Sequence, residues 1–126
     1  LVASQPADWD RQKALDVATG YIQMYPDLEA IYCCNDTMAL GALQAVINAD
    51  KLGKIIVVGT DGSAEALESI RAGQLSATVA QDPAEIGATS LRKMVEAVKD
   101  KPGFDPNKTP QTIPVDSYIV TKENVK

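Results

Sequence analysis

A chain of 126 residues, 45% apolar and 23% charged, is the size of one soluble domain or of a piece of a larger one. A net charge of -5 and a pI near 4.6, with no clustering of lysine or arginine, exclude a nucleic-acid footprint. The absence of histidine excludes Ser-His-Asp and Cys-His catalysis.

In chain order, the sequence opens inside a strand-like segment, LVASQP, rather than on a leader, as a mature or truncated product would. Helical periodicity covers 11–24, 37–49, 64–72 and 83–98. Between these helices lie short apolar runs, EAIYCC (29–34), KIIVVG (54–59) and LSATVA (75–80). The segment 100–110, rich in proline, predicts a loop, and VDSYIV (115–120) predicts a last strand. Strands alternating with helices of this length predict an α/β fold, an open parallel sheet with flanking helices. No apolar stretch approaches membrane-spanning length. Cys33 and Cys34 point to opposite faces of a strand, cannot pair without distortion, and read as small buried apolar residues. Met24, Met38 and Met94 fall on helical periodicity and read as core.

Each apolar run meets polar groups where the next helix begins. Gln5, Asp8 and Trp9 follow LVAS; Asn35 and Asp36 follow IYCC; Asp61 follows VVGT; Gln81 and Asp82 follow TVA. In an open parallel sheet the ligand crevice lies outside the carboxyl ends of the strands, where these residues fall. Asp36, Ser63 and Asp82 also serve as helix N-caps, and Asp8 and Asp10 as turn and cap residues. Gln81 is the exception, because glutamine is not a favoured cap and Asp82 already fills that role.

The turn GTDGSAEA is neither a dinucleotide fingerprint nor a P-loop, and its carboxylate would repel a phosphate. A phosphoacceptor site at Asp61 would need an acidic pair after the first strand and a lysine after a late one; Gln81 stands where the lysine would be. The acids lack the spacing of a calcium loop, so no metal or cofactor is expected. Neutral amides, one or two carboxylates and a single indole remain. Amides donate and accept, carboxylates accept, and a flat indole suits the C–H face of a sugar ring. The inventory reads as carbohydrate.

LVASQPADWDRQKAL, AIYCCNDTMALGAL, IIVVGTDGSAEAL and ATVAQDPAEIGATSL, in this order, resemble the C-terminal part of the ribose-type periplasmic sugar-binding proteins of ABC transporters. The resemblance implies an incomplete lobe of the type I periplasmic-binding-protein fold and a non-enzymatic function. It implies that a monosaccharide binds between two lobes, which then deliver it to the membrane subunits of the transporter. The motif details lean toward allose, with ribose as a related aldose. Motif by motif, Trp9 matches the aromatic that stacks on the sugar, Asn35 and Asp61 match hydroxyl-binding groups, and Gln81 matches a ligand residue at a crossover. Gln5 and Asp36 find no such support and read as turn and cap.

By the same resemblance, residues 1–82 form a partial sugar-binding lobe. Residues 83–114 supply a crossover helix and loop that pack with a lobe missing from this chain, and 115–126 supply the last strand and tail. The helix's uncovered apolar face would favour a dimer of the fragment or another partner. A periplasmic location and a chemotaxis receptor reading the closed form complete the expected setting. Two other readings compete. One is the effector-binding core of a lac-repressor-type regulator, which shares this fold; the other is a glycosidase, which would need two carboxyls facing one bond.

Overall fold

A computed structural model describes residues 1–100 and 112–126. The loop expected over 100–110 lies, beyond Asp100, outside the described residues. The elements are α1 (Arg11–Met24), β1 (Ala30–Tyr32), α2 (Asp36–Asn48), β2 (Ile56–Asp61), α3 (Ala64–Arg71), β3 (Ala77–Ala80), α4 (Pro83–Asp100) and β4 (Tyr118–Thr121). They divide into two compact units, Leu1–Gln81 with Tyr118–Lys126, and Asp82–Ser117.

The first unit is built on one four-stranded sheet in the order β1-β2-β3-β4. β1, β2 and β3 run parallel, with Tyr32 opposite Val58 and Asp61 opposite Ala80. β4 departs from the all-parallel expectation: it runs antiparallel to β3, with Tyr118 opposite Ala80. The chain leaves this unit after Gln81 and returns at the same end of the sheet, so the returning strand must run the other way. The expected strand at LVASQP is also absent. A strand exists only through pairing, and residues 1–6 pair with nothing in the sheet, leaving Leu1 and Val2 exposed.

α2 is buried nearly all round, because it lies between α1 and the sheet. Its apolar residues are accordingly small where backbones meet: a side chain at Gly41 would strike the Arg11 carbonyl at 2.1 Å. Opposite it, α1 presents Ala14, Ala18 and Ile22 at four-residue spacing. The sheet contributes Val57, Thr78 and Val120 to the core, while α3 buries Ala66 and Ile70. Met38 is in the core as expected, but Met24 and Met94 are exposed. Met24 is the last residue of α1, beyond the packed Ile22, and Met94 lies on the open apolar face of α4.

In the second unit Asp82 caps α4 by accepting from the Glu85 N–H at 2.9 Å. Hydrogen bonds from Thr89 and then Arg92 hold the Glu85 carboxyl below its ordinary pKa. Ile86, Leu91, Met94, Val95 and Val98 leave α4 with an exposed apolar surface.

Candidate functional site

Because β1, β2 and β3 are parallel, their carboxyl ends share one rim of the sheet, and the following helices begin there. The connecting contacts place three helix starts close together. Arg11 of α1 bonds Glu65 of α3 at 2.7 Å, and the Ser63 N–H donates to Asp36 of α2 at 2.7 Å. Both partners of the Arg11–Glu65 pair are exposed, so the pair reports proximity more than stability.

After β2 the chain turns sharply. Asp61 takes φ +124° and Gly62 φ +79°, and Ser63 then caps α3 by accepting from the Ala66 N–H. At Gly62 the left-handed backbone and its surroundings agree, since an added Cβ would sit 2.7 Å from the Ala80 Cβ. Asp61 is the anomaly, a residue with a Cβ in a region that glycine normally fills. Its carboxylate accepts from Gln81 Nε2 at 2.9 Å, and its carbonyl accepts from the Gln81 N–H at 3.1 Å. The structure thus joins two of the four expected site residues directly.

Asn35 lies on the same rim, half-buried, with a role that sequence reasoning assigned to its neighbour. Its Oδ1 caps α2 by accepting from the Met38 N–H at 2.8 Å, whereas Asp36 is the first helical residue. The cap consumes the acceptor end of the amide, which leaves the NH2 as a donor. Asp36 is only 1% exposed, and its two carboxylate oxygens accept from Ser63 N–H and from Thr78 Oγ1 at 2.6 Å. It is neither cap nor rim residue, and only its tertiary partners reveal what it does.

Trp9 sits where the chain bends into α1. Asp8 and Trp9 both adopt left-handed backbone, φ +51° and +61°; Asp10 caps α1 on the Lys13 N–H, and Lys13 Nζ donates to Asp8 at 2.8 Å. That ammonium, hydrogen-bonded to and attracted by Asp8, has a raised pKa. The indole is 65% exposed. Among the described residues it makes no hydrogen bond to Asn35, Asp61 or Gln81; it stands two residues before Arg11, whose guanidinium reaches Glu65 at the start of α3. Gln5 is exposed in the unpaired N-terminal segment, as a turn residue would be.

Cys33 is buried, and burial pushes its pKa up to about 11. Cys34 is exposed, contrary to the expectation that both cysteines are buried. β1 ends at Tyr32, so Cys34 belongs to the segment leading onto the rim rather than to a covered strand. Both thiols are free. Among the described residues no three His, Cys, Asp or Glu side chains gather as metal ligands would, and no helix is long and apolar enough to cross a membrane.

The rim therefore offers an amide NH2, a carboxylate and a second amide, and an exposed indole precedes α1, a set suited to neutral polyhydroxylated molecules. Residues 1–102 match the periplasmic binding protein domain family. The chain is 59% identical over 122 residues to the D-allose-binding periplasmic protein of Escherichia coli K12, covering 97% of this chain and 39% of that protein. It is 38% identical over 123 residues to the ribose import binding protein RbsB of Salmonella typhimurium, covering 98% and 39%. Among solved structures, an ABC transporter periplasmic solute-binding protein from Actinobacillus succinogenes 130z, with bound D-allose, superposes with a TM-score of 0.87 at 33% identity. That match covers 99% of this chain and 42% of the other. The chain thus spans about two-fifths of the length of the relatives it matches.

Proposed function

We propose, since this chain belongs to the periplasmic binding protein domain family, that it forms part of a protein that binds D-allose or a related aldose such as ribose in the periplasm and delivers it to an ABC transporter. The observation that carries this reading is the order on the rim. Asn35 and Gln81 follow β1 and β3, Asp61 ends β2 between them, and Asp61 and Gln81 are already joined at 2.9 Å.

In this reading Trp9 stacks on the C–H face of the sugar. The Asn35 NH2 donates to one hydroxyl, and the second Asp61 oxygen accepts from another in a charge-assisted bond. Gln81 holds the Asp61 carboxylate and lends its own amide to the ligand. No step of chemistry is needed: the rim binds and releases. The names of the allose- and ribose-binding relatives support the sugar class. The other wall of the cleft comes from a second lobe, against which the apolar face of α4 packs. A rim with one wall buries less of its ligand than a closed cleft, so this chain alone binds weakly.

Trp9 is the only tryptophan, so its emission reports on the stacking position. Titration of the chain with D-allose, D-ribose and D-galactose should give a saturable change, strongest for D-allose and shifted to about tenfold higher sugar concentration in Asp61→Ala. Absence of a saturable change with every sugar, up to their solubility limits, would overturn the reading.

A further inference from the structure

We propose that Asp36 is a positioning residue for this site: its buried carboxylate fixes the β2–α3 turn, and thereby keeps Asp61 in the left-handed conformation in which its side chain meets Gln81. Its purpose rests on the sugar-binding reading given above, whereas its geometry does not.

Asp36 is 1% exposed and cannot touch a ligand on the rim. What it touches is the framework. Oδ2 accepts from the Ser63 N–H at 2.7 Å, and Oδ1 accepts from the Thr78 hydroxyl at 2.6 Å. Ser63 lies two residues beyond Asp61, while the Asp61 carbonyl accepts from the Gln81 N–H at 3.1 Å. Asp61 and Gly62 are therefore clamped between one bond to Asp36 and another to the end of β3. Backbone strain at a residue with a Cβ persists only where its surroundings over-determine it, and this clamp is what does so at φ +124°.

The acid is built in at a cost. A buried carboxylate is unfavourable unless its oxygens are satisfied. Here two donors converge on an acceptor-only group, and its place as the first residue of α2 sets it at the positive end of the helix. Among the described residues no lysine or arginine pairs with it. β2 makes room by having no side chain at Gly59, where a Cβ would lie 2.3 Å from Asp36 Oδ1. An asparagine can reproduce the arrangement only if the Thr78 hydroxyl turns to accept from the new NH2.

The test is nuclear magnetic resonance on this chain without sugar. In the parent the coupling between the amide and α protons of Asp61 should be small, as a φ of +124° requires, and the Ser63 amide should exchange slowly with solvent. Asp36→Ala should raise the coupling toward the extended-strand value and speed Ser63 exchange by about tenfold or more, while Ala42 and Val46 in α2 stay protected. Asp36→Asn should keep the parent coupling. If Asp36→Ala does not fold, Thr78→Val, similar in size, should still speed exchange at Ser63. Parent-like coupling and exchange in Asp36→Ala, or unchanged Ser63 exchange in Thr78→Val, would overturn the proposal.

A second arm measures D-allose affinity. Asp36→Ala should weaken it about tenfold in the parent and add nothing in an Asp61→Ala background, since a positioning residue acts only through the group it positions. Equal weakening in both backgrounds contradicts the proposal. A turn that responds in a chain that binds no sugar leaves the positioning intact and removes the sugar reading. A chain that binds sugar with an unresponsive turn does the reverse.

Discussion

Asp61 carries a local cost that a packing argument would remove. Holding a residue with a Cβ at φ +124° costs about 1–3 kcal/mol, and glycine there would relieve most of it. Asp61→Gly should therefore raise unfolding stability by about 1 kcal/mol, after the greater flexibility of glycine in the unfolded chain is counted. The same change should weaken sugar binding about tenfold or more, because a charge-assisted hydrogen bond is lost. Chemical denaturation and sugar titration on one sample would show the two effects moving in opposite directions; unchanged binding would contradict the role given to Asp61. The cysteines make a separate case. With its pKa near 11, Cys33 is almost entirely thiol at pH 8, and it is buried, whereas Cys34 is exposed. Brief alkylation of the folded chain at pH 8 should yield one adduct, on Cys34 by peptide mass spectrometry. Since the Cys33 pKa is raised, its thiolate becomes abundant only as pH approaches 11.

At the scale of elements, Asn35 combines two duties that substitution can separate. Asn35→Ala removes the N-cap of α2 and should cost about 1 kcal/mol. Asn35→Asp keeps an acceptor for the Met38 N–H, so stability should stay near the parent value, yet it replaces the outward NH2 with a second acceptor and should weaken sugar binding. If Asn35→Asp binds as well as the parent, the cap is the only duty of that residue. On α1 the Tyr21 hydroxyl is buried without a partner among the described residues, and burial raises its pKa. Tyr21→Phe should be neutral or stabilising by up to about 1 kcal/mol in the same denaturation assay.

The elements also show what the amino-acid sequence could carry. Helix α1 is legible to the residue because Asp10, the alternating Ala14, Ala18 and Ile22, and the Tyr25–Pro26 break are all local signals. The positions of Asn35, Asp61 and Gln81 were legible too, because they fall where the apolar runs that form β1, β2 and β3 end, whereas the run before Trp9 forms no strand. The direction of β4 was not legible, because it depends on where the chain returns to the sheet. Nor was the fate of LVASQP, whose strand-like composition needs a neighbour to become a strand. The cap of α2 falls to Asn35 and not to Asp36, although adjacent residues are equally eligible caps by spacing. Only Thr78 and Ser63, 42 and 27 residues away, decide between them. The φ of Asp61 is likewise set by those distant contacts.

For the whole molecule, the first unit has a hydrophobic core of its own, from Ala14 and Val46 to Val57 and Val120. It presents the proposed ligand groups on one rim. The chain spans 39% of the length of its allose- and ribose-binding relatives, and the account assigns the second wall of the cleft to sequence outside it. Placing this chain in the matching segment of the Escherichia coli relative, with which it shares 59% identity, should therefore give a hybrid that binds D-allose far more tightly than the chain alone.

Calorimetric titration of D-allose into that hybrid, beside its Asp61→Ala variant, shows whether the rim carboxylate holds the sugar. The hybrid should bind saturably at one site and lose about tenfold or more in affinity on removal of the Asp61 carboxylate. A hybrid that binds equally well with and without that carboxylate would contradict this expectation.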